Sequence, residues 1–146
     1  MGMRVQRFAA LLKPLVVAGA IATLLVALWL CFVIVAVLPS RDPARVPSWA
    51  GIAAAFFAYA ALTLAFVARG PRPLWLGTAV YWGSVAAVAF GAYEIYAMAW
   101  AERTGAHFEG YLLLMGVILV AQGLCASAYT ALTVLIARRL RGSVAS

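Results

Sequence analysis

Apolar positions in this chain form four long stretches, at about residues 15–38, 49–68, 74–101 and 110–137, separated by short polar segments. None alternates with the period of a half-buried strand, and each reaches or exceeds the ~20 residues a helix needs to cross a ~30 Å hydrocarbon core. In lipid the backbone polar groups must bond within the segment or within a closed barrel. Barrel strands would show alternating runs of about ten residues, so continuous runs of this length predict helices. The expected architecture is all-α: a polytopic membrane protein, a four-transmembrane-helix bundle forming a single transmembrane domain over residues 1–146.

The polar segments predict how the spans are joined. Lys13-Pro14 places a proline in the first turn of span one, and the first span is expected to be retained as a span, not cleaved as a signal peptide, because its apolar run exceeds an h-region of 7–15 residues. Pro39, Pro43 and Pro47 predict a stiff, extended loop before span two, with Ser48 as its N-cap. Arg69-Gly70-Pro71-Arg72-Pro73 is a tight connection that makes spans two and three antiparallel neighbours. Thr104-Gly105 closes the long third span, and Gly110 opens the fourth.

Composition strengthens the membrane reading. Of the residues 67% are hydrophobic and 10% are charged, against about 25% charged in soluble domains. The net charge of +7 would suit a nucleic-acid binder, but its distribution does not. Arg4, Arg7, Lys13, Arg69, Arg72, Arg138, Arg139 and Arg141 fall on one side of the spans, and only Arg41, Arg45 and Arg103 on the other. The positive-inside rule converts this bias into an N-in/C-in topology, both termini cytoplasmic, with Asp42, Glu94, Glu102, His107 and Glu109 in the outer half. The basic excess then reports orientation and contact with anionic lipids, and no nucleic-acid partner is expected. Trp49, Tyr93, Tyr96, Trp100 and Tyr111 at one boundary and Trp75 at the other suit interfacial belts. Ten arginines against one lysine, amid abundant alanine, suggest a GC-rich gene and a bacterial inner (cytoplasmic) membrane.

Few residues within the spans carry chemistry. Glu94 lies in the third span, where a carboxylate is expensive unless paired or protonated, which makes it a candidate for ion or cationic-ligand binding. Gln122 and Tyr129, with Thr133, share a stripe on span four; Gln122 lies near mid-bilayer and should seek a hydrogen bond. On a rise-per-residue count Glu94 and Gln122 differ in depth by ~8 Å, so a direct pair requires a shifted helix. Cys31 and Cys125 likewise differ in depth, which argues against a disulfide. Ala79, Gly83, Ala87 and Gly91 recur every fourth residue in span three, and Gly123 and Ser127 follow in span four. Small residues at such spacing let helix backbones approach in lipid.

No nucleophile elbow, phosphate-binding loop or metalloprotease motif occurs, and Glu102, His107 and Glu109 match no zinc spacing. No metal, no cofactor and no catalysis are expected. The residues point to an accessory or scaffolding subunit, partnered by membrane lipids and by other membrane subunits or copies of itself. The alternative is a small homo-oligomeric transporter or channel using Glu94 and the polar stripe of span four.

Overall fold

Each of the four apolar stretches forms one long helix. The computed structural model describes residues 2–71, 74–105 and 110–144, with the backbone alone at 2–4, 111 and 140–144. Helix α1 spans Gly2–Ala36, a short α2 spans Leu38–Arg41, and a 3-10 turn at Pro43–Arg45 leads into α3, Val46–Arg69. Helices α4, Leu74–Thr104, and α5, Gly110–Val144, complete the chain. Expectations resting on Arg72, His107 and Glu109, and on the side chains of Arg4, Tyr111 and Arg141, lie outside the described residues.

Two ends of the expected pattern hold and two shift. Gly70 (φ 75°) ends α3 by donating its N–H to the Phe66 carbonyl, and Gly105 (φ 68°) follows the last residue of α4. A left-handed residue after a helix is the position glycine occupies without steric cost. Span one, by contrast, does not start at Pro14. Helix α1 runs through that proline from Gly2, because Ala9 packs into the bundle beyond it and transmembrane helices tolerate the single lost backbone bond. The segment from Pro39 to Ser48 is not extended either. Each of its prolines sits in the first turn of a helical piece, where a missing N–H costs nothing. Ser48 is consequently inside α3, whose N-cap is Arg45 without a side-chain cap bond.

The helices pack as a four-membered ring: α1 against α3 and α5, α4 along most of α5, and α3 more sparsely against α4. Buried positions recur at spacings of three and four, as Val16, Ala20, Thr23, Ala27 and Leu30 in α1 and Met115, Leu119, Gln122, Ala126 and Tyr129 in α5. This is the single-stripe pattern of bundle packing. Two apolar clusters result. Val16, Phe66, Leu76, Val80, Ala126 and Tyr129 form one toward the end that carries both chain termini. Ala27, Leu30, Ala53, Phe56, Tyr59, Ala87, Met115 and Leu119 form the other.

The outside of the bundle is as apolar as the inside. Leu25, Leu28, Phe32 and Val35 of α1, Trp82 of α4 and Leu124 of α5 all point outward. An exposed apolar surface of this extent is a surface for lipid. All four long helices are candidate membrane spans, at Val5–Ala36, Pro43–Arg69, Leu74–Thr104 and Leu112–Arg139. The chain is an integral membrane protein with four such spans. Exposed Arg7, Lys13, Arg69, Arg138 and Arg139 gather at the terminus-bearing end. At the other end Arg45 pairs with Asp42 at 2.9 Å, on the surface, where such a pair contributes little.

Candidate functional site

Between the two apolar clusters lies a layer of buried polar groups. Thr23, Thr63 and Ser84, on α1, α3 and α4, are fully buried, and Gln122 of α5 is 2% exposed. Thr23 donates to the Gly19 carbonyl at 2.9 Å and Thr63 to the Tyr59 carbonyl at 2.8 Å, each one turn back on its own helix. Ser84 likewise donates to the Val80 carbonyl at 2.7 Å. Its only proton is thereby used, so the 3.0 Å contact between Tyr59 and Ser84 is a bond donated by the tyrosine hydroxyl. It crosses the sparsest of the four helix interfaces. A Tyr59→Phe, Ser84→Ala double-mutant cycle should return a coupling of about 0.6 kcal/mol, the usual worth of such a bond within a bilayer; SDS unfolding of the four proteins measures it.

Gln122 has no such partner. Neither its Nε2 nor its Oε1 is hydrogen-bonded among the described residues. The carboxamide lies over Gly19 of α1, and a Cβ at that position would collide with Oε1. Glycine at 19 therefore makes the slot that the amide fills. An amide held in a low-dielectric interior without partners is a costly arrangement and a rare one. The layer as described holds hydroxyls bonded within the protein and one amide without a partner.

The other residues singled out from sequence are dispersed around this layer. Glu94 is half-buried on α4 beside Gly116, with no ion pair or hydrogen bond among the described residues. Gly116 is six residues from Gln122, about 9 Å along the helix, so Glu94 and Gln122 are not brought together. Tyr129 is buried with its ring edge-on to Phe66, centroids 6.1 Å apart. Ser127 spends its hydroxyl on the Leu124 carbonyl. Cys31 and Cys125 are free and pack against different clusters. Among the described residues no group of three or more His, Cys, Asp or Glu is placed to hold a metal.

The every-fourth-residue stripe of α4 is divided between two neighbours. Gly83 faces Tyr59 of α3, whereas Gly91 faces Gly116 and Val120 of α5; Ala87 is buried and Ala79 half-buried. Four residues overshoot one helical turn, so each step rotates the stripe by ~40°. Rows spaced by seven make the α4–α5 seam instead: Ser84 and Gly91 meet Gly123 and Gly116. That spacing of seven is present in both spans but differs from the every-fourth-residue spacing on which the close-packing expectation rests. Gly19 carries no comparable signal, since its place is defined by the Gln122 side chain across from it. Comparison with family models, with curated proteins and with solved structures finds no match.

Proposed function

We propose that the chain is a non-catalytic membrane subunit that joins a larger membrane complex through helix packing, and that α3 supplies the joining face. The supporting observation is the composition of that face. Its exposed residues between 50 and 68 are Ala50, Gly51, Ala54, Ala55, Ala58, Ala61 and Ala68, and no large hydrophobic side chain of α3 is exposed. A Cβ at Gly51 would touch nothing. Helix α1, in contrast, presents leucine, phenylalanine and valine to its surroundings. In a bilayer, where side-chain apolarity does not drive helices together, a smooth face allows a second helix to approach closely enough to gain packing contacts. Three sides of the ring suit lipid; this one suits a helix. The excess of cations at the terminus-bearing end supports an orientation with both termini in the cytoplasm.

Affinity purification of a C-terminally tagged chain in mild detergent, read by native mass spectrometry, tests the proposal. Other membrane subunits should co-purify at fixed stoichiometry. Ala58→Leu should lose them while leaving the chain folded, because residue 58 is exposed on the outside of the bundle. Unchanged recovery of a partner in that variant would exclude the α3 face, and a stable monomer with no partner would exclude the subunit role.

A second reading, a small homo-oligomeric transporter or channel, is supported by the unpartnered amide of Gln122. It requires that amide for function, whereas the subunit reading does not.

A further inference from the structure

The cations of the terminus-bearing end stand on three of the four long helices and find no counter-charge there. Arg7 and Lys13 of α1, Arg69 at the end of α3, and Arg138 and Arg139 of α5 are all exposed. None forms an ion pair among the described residues; Arg45 and Asp42, which do, are at the opposite end. Asp42, Glu94, Glu102 and Glu109 are the acidic side chains of the sequence, and each belongs to the other half of the spans.

Helix contacts give the relative heights of the five. Gly19 of α1 meets Gln122 of the antiparallel α5. Arg7, twelve residues before Gly19, therefore stands level with residue 134 of α5, and Lys13 with residue 128. Phe66 of α3 meets Tyr129 of α5, and these helices run parallel, so Arg69 stands level with residue 132. The five backbone positions thus span about 16 Å along the bundle. Side chains lean toward the N-terminus of their own helix. That carries Lys13, the deepest, toward the chain termini, and Arg138 and Arg139, the outermost, back toward the middle. The charged heads are drawn closer to one level than their backbones are. On the side formed by α4, exposed Trp75, Tyr81 and Trp82 stand where the other helices have cations.

We infer that this end of the bundle holds a shell of anionic phospholipids on three sides, their headgroups on Arg7, Lys13, Arg69, Arg138 and Arg139. The residues between the cations select that partner. Phe8, Leu11 and Leu15 are exposed beside Arg7 and Lys13, and Leu135 is exposed one turn before Arg138 and Arg139. Such a surface faces acyl chains, with the aliphatic stems of the cations along it and their charges at the headgroups. An acidic soluble protein or a nucleic acid would leave those leucines in water. A lipid without net charge would cover them and leave the cations uncompensated. An anionic phospholipid does both, and a guanidinium is well matched to its phosphate. The shell does not depend on what α3 joins.

Spin-labelled phosphatidylglycerol or phosphatidylcholine, at trace level in phosphatidylcholine vesicles that hold the full chain, tests this through the motionally restricted fraction of each label. Phosphatidylglycerol should be preferred by roughly threefold over the whole shell, about fivefold at each cation diluted by positions without one. Lys13→Gln, Arg69→Gln and Arg139→Gln should each remove a similar share of the preference, and the triple variant should bring it below about twofold. All three positions are exposed, and five basic residues against three still favour the same topology. Raising sodium chloride to about 1 M, where the screening length is about 3 Å, should also reduce the preference. Equal restriction of the two lipids overturns the inference and turns the cations toward an acidic soluble partner. A preference that neither the triple variant nor salt reduces overturns it as well, and loss of the whole preference in one single variant overturns it in favour of one discrete lipid site.

Discussion

Replacing Gly91 with valine should destabilise the folded bundle by about 3 kcal/mol, the upper part of the range for overpacking a core. A Cβ at this position would come within 2.5 Å of the Gly116 carbonyl oxygen and 3.1 Å of the Val120 nitrogen. Both belong to the α5 backbone, so neither can swing aside as a side-chain tip would. Even Gly91→Ala should lower stability, although alanine is favoured over glycine by about 1 kcal/mol in a helix interior. The sign of that smaller change is the more informative one, because propensity and packing oppose each other and only packing predicts a loss. Ala92→Val is the control: residue 92 is on the same helix but faces outward. SDS unfolding followed by tryptophan fluorescence measures all three, and an unchanged midpoint for Gly91→Val would mean that α4 and α5 do not meet there.

The size of this effect follows from what holds helices together in lipid. Transfer of apolar side chains from water has already occurred on insertion, so association rests on close contact and on interhelical hydrogen bonds. The α4–α5 seam has few of the latter. Its close approach depends on Gly91, Gly116 and Gly123, each of whose missing Cβ is replaced by atoms of the facing helix.

How far this could be read from the sequence differs from feature to feature. Number, type and approximate extent of the spans are properties of single segments, and glycine at 70 and 105 marked helix ends because positive φ is a local requirement. The Pro39–Ser48 segment was misread as extended because proline is equally suited to a first helical turn, and the choice depends on how the chain packs afterwards. Ala79, Gly83, Ala87 and Gly91 were recognisable as close-packing residues, but which neighbour each one meets depends on the rotation of α4. Gln122 stood out as a polar residue at mid-span. Its slot did not, because Gly19 is a hundred residues away in the chain and nothing local ties the two. The alanine face of α3 is invisible to hydropathy, which counts an alanine the same whether it points into the bundle or out of it.

Gln122→Leu should raise the stability of the bundle by about 1–3 kcal/mol, the cost of a buried amide that has lost water and gained no partner. Leucine carries no polar atom, and its side chain, one bond shorter and branched at Cγ, keeps an apolar group on the face toward α1. The prediction has a sign opposite to that expected for most core substitutions, which destabilise. Thermal unfolding of the purified variant in detergent decides it. A loss of comparable size would instead mean that a molecule bound in the mid-bundle layer satisfies Nε2 and Oε1, since only a partnered amide is missed when removed. The same variant separates the two functional readings. Joined to a partner through α3, a chain with Gln122→Leu should still co-purify with its complex in full yield, because residue 122 faces α1 on the far side of the bundle's interior. A transporter that needs the amide to hold its substrate would lose flux with its fold intact, and the persistence of so costly a group in the middle of a membrane span would then have a functional explanation.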